Sequence, residues 1–295
     1  MTITNAPIEH ALARSTVRLA AGPSATELLS TGTGFFYKVL HKDTNLAKVL
    51  ILTNKHVLRG AAVVEFVLSY ATSLADLDAE HQPVGRVDER VIWPLSGNLI
   101  SHPDADTDLC AIDITVPYSH VLNAGKQLRS MCVDSTWLHG PEDRKILRDI
   151  EQVLVIGYPA GLWDSHNNMP IARLGTTATH PLARYLGKHN FLIDVAAFQG
   201  SSGSPVFTYE TPMFRQPDGS FTPGTKVGLV GIVWGVIERT TSGELRAIEI
   251  PSGLVNIPIL QTSLNLAIAL NADAVREIDD LLLPTLERPA GDGNA

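Results

Sequence analysis

The sequence predicts an all-β protein built from two β units joined by an irregular segment. Three observations predict this. Short runs rich in β-branched residues recur along the chain, punctuated by turn residues. Regular alternation of strands with helical patterns of about 10–15 residues is not seen, which argues against a parallel α/β sheet. The 23 glycines and 18 prolines are spread along the chain rather than pooled, as a fold with many turns requires.

Taken in order, the strand candidates are 16–20, 34–40, 49–53, 63–69, 109–114, 153–156, 191–194, 205–209, 227–237 and 245–250. The last two flank Thr240-Thr241-Ser242-Gly243, which reads as a hairpin turn. Helices are few. Residues 141–149 begin with a helix-start proline, Pro141. Near the end, Asn271 or Asp273 caps a predicted helix with Val275, Ile278 and Leu282 on one face, stopped by Pro284. The polar tail 287–295 reads as frayed. The organisation expected is a β unit over 14–116, a linker over 117–150, a second β unit over 151–270 and a terminal helix over 271–283.

Composition narrows the function. With 44% hydrophobic and 18% charged residues in 295, the chain is globular and long enough for a sizeable core. Lys plus Arg is 23 against 31 Asp plus Glu, a net charge of −8, so no basic surplus points to nucleic acid. Only Cys110 and Cys132 are present, which excludes a disulfide scaffold and a Cys-rich zinc site. Glu9, His10, Arg14 and Arg18 interrupt every apolar stretch near the N-terminus, and no run approaches the ~18 apolar residues of a membrane span. No lipid-attachment signal is seen. A cytoplasmic location with no membrane partner is the expectation.

Three local patterns can carry chemistry. Gly200-Ser201-Ser202-Gly203-Ser204-Pro205 lets the backbone turn sharply and can aim successive N–H groups at one point, as an oxyanion requires. The plain alternative is a Ser/Gly turn. An α/β-hydrolase elbow fails, because Ser204 stands where that pattern needs glycine and the following 205–209 reads as a strand rather than a helix. Next, His56 in Thr53-Asn54-Lys55-His56-Val57 falls just past an apolar strand, where a held histidine suits general-base work. An ordinary partly buried histidine, one of ten, is the alternative. Finally, Asp108 in Asp104-Ala105-Asp106-Thr107-Asp108-Leu109-Cys110-Ala111 stands at the mouth of a strand, where a carboxylate can accept from an imidazole. A polar turn is again the alternative. A calcium loop is disfavoured, because the glycine and distal glutamate of an EF-hand are absent.

In order and context these three patterns resemble the chymotrypsin-fold serine peptidases, in particular bacterial trypsin-like peptidases without disulfides. Thr53 to His56 matches the family's Thr-x-x-His turn, Asp108-Leu109-Cys110-Ala111 its Asp-Leu-Ala-like strand start, and Gly200 to Pro205 its serine loop. Ser30-Thr31-Gly32-Thr33-Gly34-Phe35-Phe36, Val155-Ile156-Gly157-Tyr158-Pro159 and Gly231-Ile232-Val233-Trp234-Gly235 resemble further family segments, over residues 14 to 283 in all. The resemblance implies two antiparallel β-barrels meeting at a cleft, with a short C-terminal helix. It implies a serine endopeptidase with Ser202 as nucleophile, His56 as general base and Asp108 as the group orienting it. The N–H groups of Gly200 and Ser202 would form the oxyanion hole. Ala196, six positions before Ser202, would floor an apolar primary pocket. Val233, Trp234 and Gly235 would line the substrate, with Trp234 and Gly235 offering it a strand edge.

No metal or organic cofactor is implied; the partner is a protein or peptide substrate, with a regulating protein conceivable. Two departures stand out. Ser201 replaces the aspartate that receives a newly cut N-terminus in animal members, so that activation switch does not transfer. The family's stress proteases carry PDZ domains after the barrels, and none is expected here. A catalytically silent chymotrypsin-fold module that binds peptides is the rival reading, and esterase activity a third.

Overall fold

The computed structural model describes residues 7–239, 245–249 and 262–287. The first β unit comprises β1 (Thr16–Gly22), β2 (Ser30–Leu40), β3 (Ala47–Thr53), β4 (Val63–Ala71), β5 (Val87–Pro94), β6 (Leu99–Ser101), β7 (Cys110–Asp113) and β8 (Gln127–Leu128). They form a curled sheet of order β5-β4-β1-β2-β3-β7-β6, with β8 pairing β4. The second unit comprises β9 (Gln152–Gly157), β10 (Ile171–Thr177), β11 (Asn190–Asp194), β12 (Pro205–Glu210), the two-stranded β13 (Met213–Arg215) and β14 (Phe221–Pro223), then β15 (Lys226–Arg239), β16 (Leu245–Glu249) and β17 (Thr262–Asn271). Its sheet closes on itself, because β12 pairs with both β9 and β15, giving a six-stranded barrel with β16 outside the ring. The all-β, two-barrel expectation thus holds, the first barrel being a curled half-barrel rather than a closed ring.

All ten predicted strands correspond to strands in the structure. Three of those missed have identifiable physical reasons. β5 buries little of either face, so its residues carry no apolar alternation. β10 leaves Leu174 exposed. β17 contains Leu266-Ala267-Ile268-Ala269-Leu270, a run of good helix formers that pairing with β11 and β15 holds extended. The hairpin between β15 and β16 is present in their antiparallel register, Arg239 opposite Leu245, while its turn at 240–243 lies outside the described residues.

The 117–150 stretch contains most of α1, a helix over Thr115–Asn123, as well as β8 and the short α2, Pro141–Ile146, which stops three residues before the predicted end. The terminal helix, α3, runs Asp273–Leu282. The Asn271 side chain accepts from the Asp273 N–H at 2.8 Å, while Asp273 itself sits in the first turn and pairs with Arg144.

Each unit has its own core. Leu19, Phe36, Ile51, Val64 and Phe66 fill the first, and Val155, Phe191, Ile193, Val206 and Val233 the second. A third cluster lies between them: Phe35, Tyr37 and Leu52 pack with Ile156, Phe207 and Ile232, and α3 covers it with Val275, Ile278 and Leu282. These were the three positions expected on one helical face. Within this seam Asp279 accepts a hydrogen bond from the Tyr37 hydroxyl at 2.7 Å. Cys110 is buried and Cys132 partly so, and both are free thiols; burial pushes the Cys110 thiol up.

Burial raises the Asp279 carboxyl from 3.8 to about 6, with Asp280 and Asp134 adding to the rise and Tyr37 and Arg276 opposing it. A folded-state value above the unfolded one favours the protonated helix dock. Its contribution is complete below the unfolded value and is lost as pH rises through about 6. The unfolding free energy of the protein, measured against Asp279→Asn, is expected to fall by up to ~3 kcal/mol between about pH 4 and pH 7. A difference that stays constant over that range contradicts this.

Candidate active site

His56 lies in a single 3-10 turn, Lys55–Leu58, immediately after β3. The turn is fixed from below. The Asn54 side chain donates to the Asp108 carbonyl at 2.7 Å, and the Lys55 ammonium donates to the carbonyls of Asp104 and Ala105. Asp108 is brought alongside because β7 pairs with β3, Thr53 opposite Cys110. One Asp108 oxygen accepts from the His56 backbone N–H at 3.1 Å; the other lies 2.5 Å from His56 Nδ1. Two contacts to one carboxylate fix both the position and the ring orientation of the histidine.

His56 Nε2 lies 2.8 Å from Ser202 Oγ. The three residues singled out as catalytic, 52 and 94 positions apart in the chain, are therefore linked by consecutive hydrogen-bond contacts across the two β units. Neighbouring groups are engaged elsewhere. Ser201 Oγ accepts from the Phe198 N–H, and Ser204 Oγ is buried without a protein partner, facing Gly157. Asp106 is exposed, and Asp113 pairs with Lys48 and Thr115. Asp104 turns back on its own loop, accepting from Asp106 N–H and Thr107. Among the described residues no group of His, Cys, Asp and Glu side chains could hold a metal ion.

The serine loop is shaped by glycines. Gly200 and Gly203 have φ of +87° and +84°, and a Cβ on Gly203 would lie 2.0 Å from the Thr33 carbonyl. The Gln199 carbonyl accepts from the Ala160 N–H. Among the described residues neither the Gly200 nor the Ser202 N–H makes a backbone hydrogen bond, although both residues are buried. Buried N–H groups are nearly always paired, so these two are donors available to an acceptor.

The residues assigned to the substrate are placed less uniformly. Val233 is buried and ties the strand to the serine loop: its carbonyl accepts from Gly203 N–H and its N–H donates to Ser204. Trp234 is the extra residue of a bulge in β15 and has no ladder partner; its indole Nε1 is buried without a protein acceptor. Gly235 departs from expectation. It is paired with Glu249 of β16 on one side and with Ile268 of β17 on the other, so it offers no free strand edge. The physical reason is the long β15–β16 hairpin, which continues the ladder along the edge that β12 leaves. Ala196 is half-buried among Val195, Ala197 and the exposed Phe198. Its carbonyl accepts from Arg173, whose guanidinium stacks 4.9 Å from the Phe198 ring centre. Asp194, at the end of β11, is exposed.

Sequence reasoning gave no role to Thr33, Asn54 or Arg173. Thr33 is fully buried; its N–H donates to the Ser202 carbonyl at 2.8 Å, and its hydroxyl donates to the Gly200 carbonyl at 2.8 Å. The signal was present in its flanking glycines: a Cβ at Gly32 or Gly34 would collide with Val57 or Ile51. Two glycines around a threonine in an apolar strand mark a place where other chain must come close.

No curated protein matches the sequence. Among solved structures, the chain is similar to the active form of the Rv3671c protease from M. tuberculosis at 17% identity, covering 98% of this chain and 88% of that one with a TM-score of 0.47. It is similar also to the serine endoprotease from Yersinia pestis at 15% identity, covering 95% of this chain and 68% of that one with a TM-score of 0.46. The family model for the trypsin-like peptidase domain matches residues 32–211, a span that contains His56, Asp108 and Ser202. The chain belongs to the trypsin-like peptidase domain family.

Proposed function

We propose that the protein is a cytoplasmic serine endopeptidase that cleaves protein or peptide substrates through an acyl-enzyme. The observation that carries this reading is the continuous contact from Asp108 through His56 to Ser202 Oγ, with unspent N–H groups of Gly200 and Ser202 beside it. In the reaction, Ser202 Oγ attacks the scissile carbonyl carbon while His56 Nε2 takes its proton. The carbonyl oxygen becomes an oxyanion and is held by the two N–H groups, which are already oriented and need no reorganisation. His56 then gives the proton to the leaving amine. Water repeats the sequence on the acyl-enzyme and releases Ser202. Asp108 keeps Nδ1 protonated and stabilises the imidazolium that forms in each half.

The primary pocket supports cleavage after small or medium apolar residues. Its floor at Ala196 has no acid, Asp194 stands exposed, and the Arg173 guanidinium on the floor carbonyl disfavours a second cation. Such pockets discriminate between neighbouring apolar side chains by only about 10–200-fold, so the preference is graded. An uncontrolled cytoplasmic protease is harmful, and restraint by a narrow substrate range or a regulating protein fits the reading.

The pairing of Gly235 with β16 favours a second reading, a chymotrypsin-fold module that binds peptides without cleaving them. A peptide library incubated with the protein and with Ser202→Ala separates the two. The peptidase reading predicts cleavage after apolar residues and a loss of about 10⁴–10⁶-fold in kcat in the variant, with unchanged thermal stability. Binding without cleavage by the unaltered protein supports the silent module. Cuts after Arg or Lys that vanish in Asp194→Ala contradict the apolar pocket.

Asp108→Asn is expected to lower kcat/KM by orders of magnitude, about 10⁴-fold in the best-studied case of this chemistry, while the fold survives. Asp106→Asn and Asp113→Asn are expected to leave it within a few-fold of normal. The reverse pattern in steady-state kinetics would show that a different aspartate orients His56.

A further inference from the structure

A second recess, which Ser202 does not line, gathers arginines that make no ion pair among the described residues. It opens where the start of β1, the middle of β4, the chain just after β8 and the segment between β9 and β10 meet. Arg14, Thr16, Arg129, Tyr158, Asn168 and Met169 are among its walls. Arg129 is 6% exposed. Its guanidinium donates to the Asn167 carbonyl at 2.8 Å and to the Gln82 side chain, and touches Met169 Sδ at 3.2 Å, all of them neutral groups. Its Nε is buried with no protein partner. The Nε of Arg14 is buried without a partner as well, while its outer end reaches only the His10 carbonyl at 3.5 Å.

Among the described residues neither arginine has a carboxylate within ion-pair distance. The nearby acid is already engaged: Asp88 pairs with Arg86, which also donates to the carbonyls of His166 and Asn167. Three guanidiniums thus crowd one corner of the molecule. Burial, and then the charges of Arg14 and Arg86, lower Arg129 to about 10. Buried charges in proteins are nearly always paired, because an unpaired one forfeits its hydration for nothing in return. Two arginines that wall one recess, each with a buried Nε–H lacking a protein acceptor and, among the described residues, without an ion-paired carboxylate, suit an anion.

We propose that this recess binds a small oxyanion, a phosphate, a sulfate or the carboxylate of a peptide, against the guanidiniums of Arg14 and Arg129. Guanidinium donors suit oxygen anions of this kind, whose several lone pairs accept charge-assisted hydrogen bonds from more than one direction. The bound anion would neutralise the corner where Arg129 already holds the Asn167 carbonyl, and so fasten the segment between β9 and β10 to the first sheet.

The test is calorimetric titration of the full chain in a low-salt buffer with inorganic phosphate and, separately, with acetate. Chloride at matched ionic strength is the control, and Tm is followed in parallel. The proposal predicts saturable binding of one phosphate or acetate per chain and a Tm that rises with anion concentration beyond the chloride response. Tighter phosphate binding identifies a free tetrahedral anion, and tighter acetate binding a peptide carboxylate. Arg14→Gln, at a half-buried position, is expected to keep its Tm in chloride and to weaken binding by about tenfold or more. Arg129→Gln, if folded, is expected to abolish it. Absence of saturable binding of either anion, a Tm response equal to that of chloride, or undiminished affinity in Arg14→Gln overturns the proposal. Because none of these readouts involves peptide cleavage, the result is independent of the reading at Ser202.

Discussion

The N–H and the hydroxyl of Thr33 are spent on joining the two β units, and its carbonyl ties it to the strand of the histidine. Its N–H holds the Ser202 carbonyl and its hydroxyl holds the Gly200 carbonyl, while the same hydroxyl accepts from the Tyr158 N–H at 3.0 Å. Its own carbonyl accepts from the Thr53 hydroxyl at 2.8 Å. Thr53 ends the strand that leads into the His56 turn. A single buried residue therefore fixes the loop of the serine relative to the strand of the histidine. Each such bond contributes only about 1 kcal/mol net, but leaving any of these buried groups unpaired costs more, so the set stands or falls together. A shift of about 1 Å between reacting groups is enough to cost orders of magnitude in rate, and this clasp is what opposes it.

The clasp also explains the glycines. Close approach of loop to strand leaves no room for a side chain at Gly203, and the turn that delivers Ser202 needs positive φ at Gly200 and Gly203. A Cβ at Gly200 would lie 2.4 Å from the Tyr158 carbonyl, on the segment whose Ala160 N–H donates to the Gln199 carbonyl. The orientation of the Gly200 N–H is thus a consequence of packing between two loops. The segment 158–169 has two duties in this account. Tyr158 and Ala160 support the serine loop, and Tyr158, Asn168 and Met169 wall the arginine recess. The seam beneath is largely apolar and covered by α3, so the hydrogen-bonded clasp sits above a packed floor.

Much of this was legible in the sequence, for identifiable reasons. Strands with buried faces, such as β2, β3 and β12, announce themselves by β-branched and aromatic runs, because burial and side-chain type report the same fact. His56, Asp108 and Ser202 stood out because each lies where an apolar strand meets a polar turn. Thr33 did not, since a threonine inside a strand has no pattern of its own and its partners lie 20 to 169 residues away. β5 was hidden because edge exposure erases alternation, β10 because Arg173 and Gly175 take its less exposed positions while Leu174 is exposed, and β17 because alanine and leucine serve helix and strand alike. The pairing of Gly235 with β16 was also out of reach. A resemblance over Gly231 to Gly235 specifies the strand, whereas its free edge depends on where the following hairpin folds back.

The account rests on Ser202 being made nucleophilic by its contact with His56, and covalent labelling reads this directly. The protein is treated with a fluorophosphonate, its intact mass is measured, and the modified peptide is sequenced. One adduct per chain on Ser202, abolished by His56→Ala, is the result the geometry predicts. An unmodified protein, or an adduct on Ser201 or Ser204, would contradict it.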